Sequence, residues 1–130
     1  MKESIIGEKS KKFAIKIIKL YKILSDTKHE YVLSKQILKS GTSIGANVRE
    51  AQCGQSKADF YAKMYIAFKE SAETGYWLEL LHETDYISDS EFNELNSENQ
   101  ELFRILSSIT KSRDNSYLLT ATCYLSSSQS

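Results

Sequence analysis

Proline is absent from the 130 residues, and glycine occurs only five times. Proline breaks helix interiors and glycine punctuates turns, so their scarcity points to a few long helices joined by short connections. Long apolar runs are missing too. The pair Ile5-Ile6 stops at Gly7-Glu8-Lys9, too short for a signal-peptide core, and no segment approaches the ~20 apolar residues of a membrane helix. We therefore expect a cytoplasmic protein without membrane contact. Cysteine is limited to Cys53 and Cys123, two lone thiols without metal-ligand spacing, read as buried or incidental side chains rather than a disulfide.

Net charge of either sign is lacking as well, yet the charges are unevenly placed. Residues 1–65 carry 13 Lys/Arg against 6 Asp/Glu and residues 66–130 carry 4 against 11, a split of +7 and −7 that predicts a basic side and an acidic side. The apolar fraction of 41% is ordinary for a soluble chain, and the length suits a single domain with its own core.

What is present is helical periodicity. From about residue 8 to 26, Phe13, Ile17, Leu20, Tyr21 and Leu24 share one arc while Lys9, Lys12, Lys16 and Lys19 share another, the pattern of an amphipathic helix. Ile15 and Ile23 fall on the lysine side and hint at a second contact surface. A second helix is expected from about 30 to 53, with Leu33, Ile37, Ile44, Val48 and Ala51 on one face and Gly54 as its stop. A third, about 56 to 83, is apolar on two sides: Phe60, Met64, Ala67, Phe68, Ser71, Gly75 and Leu78 on one, and Ala62, Ile66, Trp77 and Leu80 nearly opposite. Only one side can face an intramolecular core, so the other is expected to meet another subunit or the C-terminal tail. A fourth starts at the capping-box pattern Ser88-Asp89-Ser90-Glu91 and continues through Phe92, Leu95, Leu102, Leu106 and Ile109 to about Lys111. The fold class is all-α, an antiparallel up-down-up-down four-helix bundle over residues 1–112, with 113–130 a tail that is partly ordered or mobile.

The glycine-rich stretch SGTSIGANVREA, residues 40 to 51, resembles a phosphate-cradling loop at first sight. A Walker loop needs Lys and Ser/Thr after its last glycine, where this chain has Ala46 and Asn47, and the preceding KQILK is helical in pattern rather than a strand. Small residues that let two helices approach closely account for it better. Ser40, Ser43, Asn47 and Glu50 step along one side of this helix, and Glu70 and Glu73 sit between Ile66 and Trp77 on the next, so we expect a structural polar network rather than a catalytic acid pair. Asp26-x-x-His29 and Glu79-x-x-His82 each place a carboxylate and an imidazole on one helix face, but both abut loops and read as solvated helix ends rather than a di-iron site. No catalytic residue, metal or cofactor is assigned. The lysine row of helix one is able to contact phosphates, while arginine, the usual base reader, occurs only three times, which disfavours sequence-specific recognition.

Three segments, SGTSIGANVREA at 40–51, QSKADFYAKMYIAFKE at 55–70 and ETGYWLELL at 73–81, resemble the bacterial four-helix-bundle family of 23S rRNA intervening-sequence proteins. The resemblance rests on Ala46, Asn47 and Glu50, then on Ala67, Glu70, Glu73, Trp77 and Leu78. It implies a bundle that assembles as a homopentameric ring, which would account for Ile15, Ile23, Ile66 and Trp77 as an oligomer interface. It implies no known reaction. Some members are encoded inside insertions in 23S rRNA genes, and a related accessory protein of diversity-generating retroelements is a basic pentamer that binds nucleic acid and a reverse transcriptase. This chain departs from that relative in being neutral. The expectation is a non-enzymatic oligomer that binds RNA or DNA, or a nucleic-acid-handling partner, through Lys9, Lys12, Lys16 and Lys19; the alternative is a protein-interaction scaffold without nucleic-acid binding. An enzyme built on the glutamate cluster ranks third.

Overall fold

A computed structural model describes residues 4–116, and in it the chain forms four α-helices: α1 (Ile5–Lys22), α2 (Leu33–Gln52), α3 (Lys57–Glu83) and α4 (Asp89–Ser116). Each helix packs on the next and α4 returns to α1, which closes an antiparallel up-down-up-down bundle. The tail beyond 116 and Cys123 lie outside the described residues.

Local chemistry sets the helix limits. Ser4 starts α1 by accepting the Gly7 amide at 3.0 Å, earlier than periodicity alone suggests, and this first turn brings Ile6 into the core. After Lys22 the chain winds on through a π-helical turn, Ile23–Thr27, that seats Leu24 in the core before His29 turns into the left-handed region at φ 56°. That turn delays α2 to Leu33. Glu30, expected inside the helix, stands ahead of it and caps it, its carboxylate accepting the amides of Leu33 (3.0 Å) and Ser34 (2.7 Å). Ser56 caps α3 through the Asp59 amide. At the other end of α3, Asp85 at φ 66° allows Asp85 N to reach His82 O (3.1 Å) and Tyr86 N to reach Leu81 O (2.9 Å), the paired bonds of a Schellman ending. The Ser88/Glu91 capping box forms reciprocally, at 3.1 and 2.9 Å. Lys28 Nζ donates to the Tyr86 carbonyl and ties the α1–α2 loop to the α3–α4 loop at one end of the bundle.

The core runs along the bundle axis through Phe13, Ile17, Leu24, Ile37, Ile44, Val48, Met64, Leu78, Leu81, Leu102 and Leu106, all essentially without exposure. Two small polar clusters interrupt it. Ser71 Oγ donates to Asn99 Oδ1 (2.9 Å) while Asn99 Nδ2 donates back to the Ser71 carbonyl (3.0 Å), joining α3 to α4. Thr74 Oγ1 donates to Ser40 Oγ at 2.9 Å, joining α3 to α2. Among the described residues no buried side-chain nitrogen or oxygen lacks a partner. Such satisfied pairs admit one register between helices that apolar contacts alone would let slide.

The glycine-rich stretch is helical throughout, inside α2, so its amides serve the helix and form no phosphate cradle. Gly41 meets α1 closely: a Cβ there would lie 2.9 Å from both Cγ1 and Cγ2 of fully buried Ile17. Gly45 is looser, its nearest neighbour being Ser10 at 3.4 Å. Helix propensity favours alanine over glycine by ~1 kcal/mol, whereas forcing a methyl into a filled core costs ~1–3 kcal/mol. We therefore predict that Gly41→Ala lowers stability by about 1 kcal/mol or more, while Gly45→Ala is neutral or stabilising. Denaturant unfolding of the two variants beside the parent checks this, and equal effects would refute the packing argument.

Candidate interaction surfaces

The lysine row of α1 faces α4. Lys9 pairs with Glu101 at 3.2 Å, and Lys16 bonds Glu94 at 2.8 Å and also Glu98. Lys12 borders the same seam beside Glu98 and Glu101, and Lys19 borders it beside Glu91 and Glu94. Because the helices are antiparallel, two rows of i, i+3 and i+4 spacing run past one another with opposite sign. The bonds from Glu94 and Glu98 hold the Lys16 ammonium above its ordinary range. The opposite charges of the two half-chains thus meet within one molecule, along the helix pair that packs least extensively among the neighbouring pairs. The acidic row Glu91, Glu94, Glu98 and Glu101 is as periodic as the lysines, and that spacing is the signal that identifies their intramolecular partner. Of the four lysines, Lys12 and Lys19 are exposed and make no ion pair among the described residues.

The polar side chains of α2 and α3 lie along the α2–α3 seam without joining into a single network. Ser43 Oγ donates to the Lys39 carbonyl (2.6 Å) and Asn47 Nδ2 to the Ser43 carbonyl (2.8 Å), both within α2. Glu50 pairs with Lys63 across the seam at 3.0 Å, and Glu73 accepts the Trp77 indole N–H at 3.0 Å within α3. Glu70 is half-buried, and its carboxyl is pushed above the usual carboxylate range, first by burial and then by the charge of Glu73, with Lys39 and Lys69 opposing. The buried hydrogen-bonded clusters are the Ser71–Asn99 and Ser40–Thr74 pairs instead. Their trace in the sequence was small polar residues in register with the apolar stripes: Ser40 beside Ile44, Ser71 among Ala67 and Leu78, and Asn99 between Leu95 and Leu102.

The histidines sit at helix ends. His29 Nδ1 lies 3.0 Å from the Tyr31 hydroxyl. His82 Nε2 is 2.6 Å from Asp89 Oδ1, and its ring stacks on Phe92 at 4.3 Å. Asp26 accepts a bond from the neighbouring Ser25 and Glu79 is exposed, so neither carboxylate contributes to a shared site with its histidine. Among the described residues no three His, Cys, Asp or Glu side chains converge as metal ligands. No described helix is long and apolar enough to cross a membrane. Cys53 is an exposed free thiol at the end of α2, not a buried one.

Apolar side chains remain outside the core on two helices. On α3, Tyr65 (52% exposed), Ile66 (39%) and Tyr76 (54%) stand outward with half-buried Trp77 at their edge. On α1, Ile15 (45%), Ile18 (38%) and, in the following turn, Ile23 (43%) do the same. α1 and α3 each pack against both α2 and α4, so they occupy diagonal corners of the bundle. One chain therefore carries two separate apolar patches, and Ile15 and Ile23 are not brought to Ile66 and Trp77 within it.

Fold and surfaces define a class: a small all-α four-helix bundle with a satisfied interior and apolar patches on its outer corners. The family model of the 23S rRNA-intervening sequence protein matches residues 2–108, and the chain belongs to that family. A crystal structure at 1.70 Å of a protein with unknown function from the S23 ribosomal protein family of Bacteroides thetaiotaomicron VPI-5482 is similar at 50% identity and a TM-score of 0.81, over 82% of this chain and 99% of that one. No curated protein matches the chain.

The Glu70 environment makes a signed prediction. A carboxyl whose folded-state pKa is raised weakens the fold when ionised, and that penalty disappears below its unfolded value near 4.5. Glu70→Gln should therefore unfold at a higher temperature than the parent at pH 7, and the gap should close by about pH 4. A loss of stability at pH 7 would show that Glu70 holds the seam together as an ion.

Proposed function

We propose that this protein acts without catalysis, as a self-associating helical scaffold in the cytoplasm, its subunits meeting through the outer faces of α1 and α3. The observation that carries the proposal is the outward row Tyr65, Ile66 and Tyr76 on α3, a helix already covered by the core on its opposite side. Clustered, half-exposed large apolar side chains on a small soluble protein are the mark of an interaction face. The second patch, at Ile15, Ile18 and Ile23 on the diagonal helix, favours head-to-tail contact of unlike surfaces, and such contacts generate rings when the rotation closes. The five-subunit ring implied by the family resemblance fits that arrangement. The exposed Cys53 thiol suits a reducing compartment.

Light scattering tests the assembly: the parent should be an oligomer at micromolar concentration, and Ile66→Glu combined with Tyr76→Glu should yield a helical monomer. A monomeric parent would sink the proposal.

A second reading, weak binding of RNA or DNA or of a nucleic-acid-handling partner, is supported by Lys12 and Lys19. These two members of the lysine row are exposed, and a ring would repeat them around its circumference, so several weak contacts gain avidity on one strand. Lys9 and Lys16 contribute less, because phosphate would have to displace Glu94, Glu98 and Glu101. In filter binding with structured RNA, retention should appear at low salt, fall steeply as salt rises, and drop severalfold for Lys12→Glu plus Lys19→Glu. Retention indifferent to both salt and these substitutions would leave the protein-scaffold alternative.

A further inference from the structure

Between α1 and α2 the surface sinks into a groove of about 390 Å³, lined by Gly7, Lys11, Ala14, Gly45, Ala46 and Arg49 among others. Its walls are low, because Gly7, Ala14, Gly45 and Ala46 carry nothing beyond a methyl group. The stretch SGTSIGANVREA thus turns Ile44 and Val48 to the core and Gly45, Ala46 and Arg49 to the groove. On α1, Lys11, Ala14 and Ile18 step by three and four residues, so this wall runs on to the exposed Ile18 of the α1 patch. The rim is basic: Lys11 stands on the α1 edge and Arg49 on the α2 edge, while Glu50, the acidic residue of the lining, is held by Lys63 across the α2–α3 seam at 3.0 Å. The outer row of α3 has the opposite form. Ile66 and Tyr76 stand outward with Trp77 beside them, and the exposed Glu73 and Glu83 follow Ile66 and Tyr76 by seven residues each, about two turns along the same side. Lys69, the cation of this row, lies over the Tyr65 ring at 5.6 Å.

We infer that the outer row of α3 in one copy of this chain seats in the α1–α2 groove of the next copy. The assignment rests on the self-association proposed above and gives it a socket. Shape favours it: large side chains such as Tyr76 and Trp77 are covered fully only where the facing surface recedes, and the small residues of the groove make it recede. Charge favours it as well, since Glu73 and Glu83 on the row are opposite in sign to Lys11 and Arg49 on the rim, and such matching sets the partner and the direction of docking. The α1 patch is continuous with the groove through Ile18, so the same contact covers it. Groove and row lie on different flanks of one chain. A copy whose row is engaged therefore still offers its groove, and the contact repeats head to tail.

Light scattering, with circular dichroism to check helix content, tests this on variants of the full chain. Ala46 is exposed, so Ala46→Trp fills the groove and leaves the bundle folded. That protein should be a helical monomer where the parent is an oligomer. Ser108→Trp places the same bulk on an exposed position of α4 and should keep the parent's size. Lys11→Glu, which reverses the charge of the rim without filling the groove, should raise the dissociation constant severalfold, and unchanged assembly there would overturn the charge match. Because groove and row are two halves of one contact, Ala46→Trp and the Ile66→Glu, Tyr76→Glu protein should both stop at the monomer. A dimer from either would put groove and row in separate contacts, an Ala46→Trp protein of the parent's size would leave the groove unused, and dissociation of Ser108→Trp would show that bulk anywhere disrupts assembly. Each of these overturns the inference while self-association stands, whereas a monomeric parent removes both.

Discussion

The seating of Ile17 against the bare backbone at Gly41 sets the geometry of the rest. Without a side chain at 41, α2 comes near enough for the Ile17 branch to lie 2.9 Å from where a Cβ would stand. That contact fixes both the separation and the register of α1 on α2. With α1 so placed, Lys9 and Lys16 arrive opposite Glu101 and Glu94/Glu98 on α4, and the outer side of α1 carries Ile15 and Ile18 away from the core. A glycine with a helix-propensity cost thus sits at the interior contact on which the surface pattern depends.

Charge in this molecule works mainly inward. The basic first half and acidic second half of the chain would form two fields in an extended polymer, but antiparallel packing lays one against the other. Half-exposed pairs of this kind contribute little each, and their larger effect is to select which helix α1 and α4 accept as neighbours. The same neutralisation narrows any phosphate-binding role to the lysines that α4 leaves uncovered.

α3 divides its side chains between the core and the surface. One side supplies Met64, Ala67, Ser71, Thr74 and Leu78 to the interior, and the other exposes tyrosines and Ile66. Ser71 and Thr74 hold it to α4 and α2 by hydrogen bonds that a shifted register would break, so its outer side chains are presented at defined positions. A rigid helix with a displayed apolar row is well suited to recognition, because little side-chain or backbone freedom remains to be lost on contact.

The four helices, their stripes, the Ser88/Glu91 cap and the two-sided character of α3 were legible in the sequence, because each depends on spacing along a single helix. The late start of α2 was not: periodicity sees Glu30 as helical, while the left-handed turn at His29 makes it a cap. The partners of polar groups were not legible either. Ser40, Ser43, Asn47 and Glu50 looked like one stripe facing Glu70 and Glu73, yet of these only Ser40 is buried, bonded to Thr74, and packing placed Asn99 on Ser71, since a hydrogen bond across helices depends on register, which no single-helix pattern contains. The lysine row was visible by itself, and only the closing of the bundle decided that glutamates of α4 would stand in front of it. Sequence alone determined which faces are apolar, basic and acidic; tertiary structure decided which of them meet, because that choice rests on contacts between residues some eighty positions apart.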